Sequence, residues 1–302
     1  MNRAEYRRRS FLAALLGLPG AAAAQEPAAQ MLRFGLSDSL RGDINVADAR
    51  SAMAVWFRRI EQDMKVDLRY DPNVFDDVER LAIRLRQRQL DAVALNVIEY
   101  RRLLPLLDPD SVTIPVLTPK LQYVLLVRAD AGVSRLADLQ GRRLVLLETP
   151  HTCLGPAWLS TLLDAQSQVG HQRFFSSMAK KSKPAQAVLP VFFGQAEACL
   201  TTFAGFQAMG ELNPQVSHRL RVLETSPELV TTLYAYRRDW KGVARDAVTR
   251  GLEDLRTSPA GRQILTMFQC QGMMTSKSTC FQSAFAILAQ AERIAAREGG
   301  TL

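Results

Sequence analysis

The stretch "LQYVLLVRADAGVSRLADLQGRRLVLLETPHTCLG", residues 121–155, decides the architecture. It opens on an extended apolar run, "LQYVLLVR" (121–128), and reaches a second one at "RRLVLLE" (142–148). "GPAWLSTLLDA" (155–165) then reads as a helix, so a strand feeds a helix through Thr149, Pro150, His151, Thr152 and Cys153. Three readings of that turn stand side by side: a ligand cradle, a nucleophile, or an ordinary turn with a buried thiol.

The same alternation continues in both directions. Upstream, "MLRFGL" (31–36) is a short strand, and "VADARSAMAVWFRRIEQDM" (46–64) carries Ala49, Met53, Trp56, Ile60 and Met64 on one helical stripe. "VDLRY" (66–70) alternates like a strand, and "VFDDVERLAIRLRQR" (74–88) stripes Val78, Leu81 and Leu85. "DAVALNV" (91–97) is a continuous apolar run, as in a parallel strand covered on both faces. Downstream, strands are expected at 173–177, 196–202, 219–224 and 230–237. Helices are expected at 184–194, where Pro190 intrudes, and at 203–212. The tail, 240–294, reads as helices, with Phe281, Phe285 and Leu288 striping the last one. This predicts an α/β fold of two lobes, each a mostly parallel sheet flanked by helices. Two crossovers, at 121–128 and 225–236, join a first lobe (25–120 plus 230–302) to a second (121–229). Ligands of such sheets bind outside the carboxyl ends of the strands.

The front of the chain, "MNRAEYRRRSFLAALLGLPGAAAAQEP", has the plan of an export signal. Arg3, Arg7, Arg8 and Arg9 precede the apolar run "FLAALLGL". Ala22 and Ala24 stand in A-x-A position, so cleavage is expected after Ala24 and residues 1–24 are set aside. "RRSFL" also fits a twin-arginine export motif. The apolar run is too short for a stable membrane anchor. With 38 Lys and Arg against 30 Asp and Glu, the chain carries +8, of which the leader's four Arg and one Glu account for +3. The remaining basic residues are scattered among acids, which speaks against nucleic acid as a partner. Four cysteines in an exported chain suggest disulfides. Cys270–Cys280 flank a short loop, and Cys153–Cys199 both sit near carboxyl ends of second-lobe strands.

These landmarks, in order, resemble the type II periplasmic solute-binding proteins, in particular the phosphate/phosphite/phosphonate-binding, PhnD-like branch. "LRFGL", "LDAVALNVIEY", "YVLLVRADAGVSRLADLQGRRLVL", "GQAEACL" and "LRVLETSPEL" carry the resemblance over most of 31–240. It implies a two-lobe receptor that captures a small anionic ligand, acts as a monomer without cofactor, and serves an ABC permease or, alternatively, a membrane sensor. In that branch a Ser-Thr-Ser-Gly turn at a helix start holds an oxyanion. Here Thr152, Cys153 and Leu154 stand in its place before Gly155, and only Thr152 keeps a hydroxyl. Backbone donors and the helix dipole survive such substitution. Ala185 and Gly205 stand where the branch carries acids suited to aminoalkyl phosphonates, so that ligand class is not expected. Leu95 replaces an aromatic residue, which leaves Phe75 as the candidate aromatic wall.

The expected ligand set is therefore Ser37, Asp38, Asn96 and Tyr100 from the first lobe and Thr149, His151, Thr152 and Thr201 from the second. Ser, Thr, Asn and Tyr donate hydrogen bonds to an oxyanion, and His151 would make affinity pH-dependent. Asp38 repels an anion unless the ligand also has a donor or cation. The enzyme alternative, such as a pyrimidine synthase-like protein on the same fold, rests on Cys153 beside His151. Neither His171 nor His218 adds metal-ligand spacing.

Overall fold

The computed structural model describes residues 32–40, 68–165, 174–267 and 269–299, with isolated positions 47, 54, 58, 61 and 62. The leader and most of the stripe at 46–64 lie outside the described residues.

The first half runs β1 (Leu32–Ser37), β2 (Leu68–Asp76), α1 (Val78–Arg86), β3 (Ala92–Asn96), α2 (Val97–Leu103) and β4 (Leu107–Val116). A second series follows: β5 (Tyr123–Arg128), β6 (Arg143–Leu147), α3 (Gly155–Ala165), β7 (Ser177–Lys181), α4 (Pro184–Phe192), β8 (Ala198–Thr202), α5 (Phe203–Leu212), α6 (Pro214–Arg219) and β9 (Leu220–Thr225). The chain then returns as β10 (Thr232–Arg237), α7 (Val243–Glu253), α8 (Pro259–Met267), β11 (Gly272–Ser276) and α9 (Gln282–Arg297).

The strands form two sheets, ordered β11-β4-β10-β3-β1-β2 and β7-β6-β8-β5-β9. The chain passes between them after β4 and after β9. The two passages lie side by side, with Leu229 N donating to Leu121 O and Tyr123 N to Ser226 Oγ, each at 2.8 Å. Parallel pairing is confined to β1–β3 and β6–β8. Strands that follow a passage enter reversed, so β10 and β5 are antiparallel to their neighbours. Both sheets are thus more mixed than the apolar runs suggested.

Sequence pattern explains most elements. Asp77 caps α1 by accepting from Arg80 N at 2.8 Å, and Leu81, Ala82 and Leu85 form its buried stripe. Residues 74–76, read as helix, complete β2 instead. "LQYVLLVR", read as a link, is the interior strand β5, between β8 and β9, with Tyr123 to Val127 all buried. The strand read at 173–177 begins only at Ser177. Phe174 and Phe175 are core residues ahead of it, and the exposed edge strand β7 has no apolar alternation to announce it. β11, inside the tail read as helical, is likewise a short edge strand, and β4 was masked by its two prolines.

Side chains alternate across each sheet. Tyr123, Leu125 and Val127 of β5 face one core with Ala198 and Leu200, whereas Val124, Leu126 and Cys199 face another. The first core continues through α3 to Ile287, Leu288 and Ala291 of α9. Ion pairs Arg297–Asp164 and Arg101–Glu292 (2.8 Å) tie α9 to α3 and α2.

This alternation overturns both expected disulfides, and all four cysteines are free thiols. Cys199 belongs to one face of the second sheet, while Cys153 packs on the core of the other. Cys270 and Cys280 are divided in the same way across the first sheet. Closeness in sequence, or at strand ends, does not bring side chains through a sheet.

Candidate functional site

In the first half, Asn96 ends β3 and caps α2. Its Oδ1 accepts from Glu99 N at 2.9 Å, and Glu99 Oε2 accepts from Asn96 N at 3.1 Å. Glu99 also accepts from Ser37 Oγ at 2.5 Å and from Ser39 Oγ at 2.9 Å, while Asn96 Nδ2 donates to Ser39 Oγ at 2.9 Å. Ser37 and Asn96 are thus brought together, around a carboxylate that sequence reasoning missed. The signal was present as the N-x-x-E spacing of a capping box. Asp38 is exposed at the head of a short turn, Asp38–Leu40. Tyr100 lies on the other side of α2, wholly buried, with its ring centroid 5.1 Å from that of Phe281 and 6.3 Å from that of Phe285. Burial, then the neighbouring Cys280, push its hydroxyl up to about 12. The structure places it in the core. Phe75 is described only through its backbone pairing with Leu36.

In the second half, β6 runs into a one-turn helix, Pro150–Thr152, and then α3. Thr152 Oγ1 accepts from Thr149 N at 2.8 Å and donates to Leu147 O at 2.6 Å, with Thr149 Oγ1 at 3.2 Å. The hydroxyl expected to meet the ligand therefore closes its own turn. Leu154 is buried in the core, and Tyr123 OH donates to His151 O at 2.7 Å. His151 Nδ1 is buried without a hydrogen-bond partner among the described residues, and burial holds the imidazole below its usual range. Burial, then the Glu99 charge, push the Cys153 thiol up to about 12, against backbone amides of Cys153, Leu154 and Val97. Glu99 and Val97 start α2, so Cys153 marks where the two halves meet. A thiol raised by burial is the opposite of the depressed thiol that a nucleophilic cysteine carries.

The carboxyl end of β8 is built differently. Thr202 caps α5, accepting from Gly205 N at 3.0 Å. Thr201 is wholly buried, and its Oγ1 has no hydrogen-bond partner among the described residues. A Cβ on Gly205 would stand 2.9 Å from Thr202 Oγ1 and 3.4 Å from both Thr201 Oγ1 and Pro184 Cβ. The starts of α4 and α5 therefore converge on Thr201. Among the described residues no group of three His, Cys, Asp or Glu could hold a metal ion. Nor, among them, is any helix long and apolar enough to cross a membrane.

Comparisons agree with this architecture. A binding-protein component of an ABC phosphonate transporter from Pseudomonas aeruginosa superposes with a TM-score of 0.57 at 12% identity, covering 88% of each chain. PhnD1 from Prochlorococcus marinus, in complex with methylphosphonate, gives 0.57 at 15% identity over 87% of this chain and 98% of that one. A Xanthomonas citri protein bound to chloride ion gives 0.59 at 11% identity over 88% and 99%. At these identities the likeness establishes the two-lobe fold. No curated protein matches the sequence. Residues 45–278 match the family described as "ABC transporter, phosphonate, periplasmic substrate-binding protein", a span that takes in both passages and every strand except β1. The chain belongs to the phosphonate-binding family of periplasmic substrate-binding proteins of ABC transporters.

Proposed function

We propose that the protein is exported by a leader cleaved after Ala24 and captures a small oxyanion between the lobe 25–120 plus 230–302 and the lobe 121–229. It acts as a monomer without a cofactor and delivers the ligand to an ABC permease. The observation that carries the reading is the family match across 45–278, both halves of the receptor included. Two sheets whose parallel strands end at helix starts along one seam are the arrangement in which such folds take anions. The ligand of the Prochlorococcus structure, methylphosphonate, makes phosphonates the first class to test.

The test is a thermal-shift screen of the mature chain against methylphosphonate, phosphite, phosphate, alkyl sulfonates and small carboxylates, followed by calorimetry of any hit. Stabilisation that rises with ligand concentration, as binding to the native state requires, is the expected result. A flat response to every oxyanion, with turnover of some substrate, would return the enzyme alternative to first place.

A further inference from the structure

We propose that the oxyanion is held by the converging amino termini of α4 and α5 together with the hydroxyl of Thr201, and not by the Thr149–Gly155 turn. This rests on the protein being an anion receptor and names the part of the seam that does the binding.

The turn is the poorer site for two reasons. Its hydroxyl proton is already engaged, Thr152 donating to Leu147 O. The Glu99 carboxylate also lies close enough to act on Cys153, so an anion at that turn meets a like charge.

The α4–α5 convergence has the opposite character. α4 begins at Pro184, and its cap residue Lys183 makes no side-chain capping bond. The amides of Ala185 and Gln186 therefore have no intrahelical acceptor. In α5, Phe203 N donates to Gln122 O and Gly205 N to Thr202 Oγ1, which leaves the amide of Ala204. Thr201 Oγ1, wholly buried and unpartnered among the described residues, is 3.4 Å from the Cβ position of Gly205 in that same first turn. A buried hydroxyl without a partner calls for an acceptor, and an anion's oxygen supplies one. Pro184, Ala185 and Gly205 put no charge at the convergence. The exposed Lys181 and Lys183 lead the chain into α4, adding positive potential on the approach. Half-buried Phe203 and Phe206 in the first turn of α5 suit an alkyl group better than an ammonium. The ligand class is a compact tetrahedral oxyanion with an uncharged substituent.

Calorimetry of the full-length mature protein tests this with methylphosphonate, methanesulfonate and 2-aminoethylphosphonate. Thr201→Val keeps the shape and should weaken methylphosphonate binding about ten- to a hundredfold. Gly205→Ala should weaken it as well, because the added Cβ meets Thr202 Oγ1 at 2.9 Å. Thr152→Val should leave affinity unchanged, and the aminoalkyl compound should bind less tightly than methylphosphonate. Should either variant fail to fold, amide shifts of the wild type on methylphosphonate addition decide instead, expected largest at Ala185, Gln186 and Ala204. Wild-type binding with undiminished affinity in Thr201→Val and Gly205→Ala, or largest shifts at Cys153 and Leu154, overturns the proposal and leaves the receptor reading intact. No binding of any of the three anions by the wild type overturns the proposal, and the receptor reading falls only if the wider oxyanion screen is flat as well.

Discussion

At the carboxyl end of β3, Ser37, Ser39 and Asn96 are all engaged with one another through Glu99. At the carboxyl end of β8, Thr201 is equally buried and its hydroxyl has no partner among the described residues. Similar hydroxyl chemistry thus yields a rigid cap in one region and available donor capacity in the other. The difference is the acceptor: a carboxylate three residues into a capping box collects every nearby donor, and at β8 the corresponding stretch offers none. An oxyanion competes for donors only where no internal acceptor has taken them.

The largest expected effect lies at the far end of the first sheet, which sets the scale for internal charge pairing. Asp91 is wholly buried there and accepts from the Arg33 guanidinium (two bonds of 2.8 Å) and from Arg237 at 3.1 Å. Asp91→Ala takes the buried carboxylate from half-exposed Arg33 and from Arg237, which keeps its pair with Asp239, and should cost about 3 kcal/mol in denaturant unfolding. Methylphosphonate affinity should not move, because this edge is opposite the seam.

Glu99→Ala attacks the comparison itself. It removes the acceptor of Ser37, Ser39 and the Asn96 amide and should cost about 2 kcal/mol of stability. It also frees donors and deletes a negative charge at the seam, so oxyanion affinity should rise in calorimetry. A fall would mean that the Glu99 network holds the ligand's own contacts in place, and the contrast between the two strand ends would collapse.

Thr152→Val is gentler. Loss of the hydroxyl to Leu147 O and from Thr149 N should lower stability by about 1 kcal/mol in thermal melts, with binding unchanged. A large loss of affinity with little loss of stability would move the anion back to that turn.

The last effect is read from the pH dependence of stability. Burial alone would raise the Asp108 carboxyl, but hydrogen bonds from Lys241, the Asp110 amide and Arg245 outweigh it and bring it down to about 2. Its folded value thus lies below the usual carboxylate value of about 4. The stabilisation is therefore complete above that value and is lost as pH falls from about 4 through about 2. Asp108→Asn should flatten the stability–pH profile in that window by lowering the neutral plateau, and should leave stability below about pH 2 nearly unchanged.

Much of the fold was legible from periodicity. The apolar runs of β3 and β8 and the α5 segment at 203–212 follow from residue pattern alone, because a covered strand or an amphipathic helix must carry that pattern. β4, β7 and β11 were not legible. Two are edge strands with polar or exposed residues, which pairing rather than burial makes strands, and the third, though largely buried, is interrupted by prolines. Within the site, the sequence placed hydroxyl residues at strand ends and a helix start after "HTCLG", and the capping spacing from Asn96 to Glu99 was there to be read.

Sequence alone determined the α/β alternation and the family, since these depend on local pattern and ordered landmarks. Only the tertiary structure decided which cysteines share a face and which donors already have acceptors. Both are properties of distance between chain segments: a sheet separates Cys153 from Cys199, and 62 residues separate Ser37 from the Glu99 oxygen that accepts its hydrogen bond. A hydroxyl's chemistry is written in its residue type, but its availability is set by whatever the fold has packed against it.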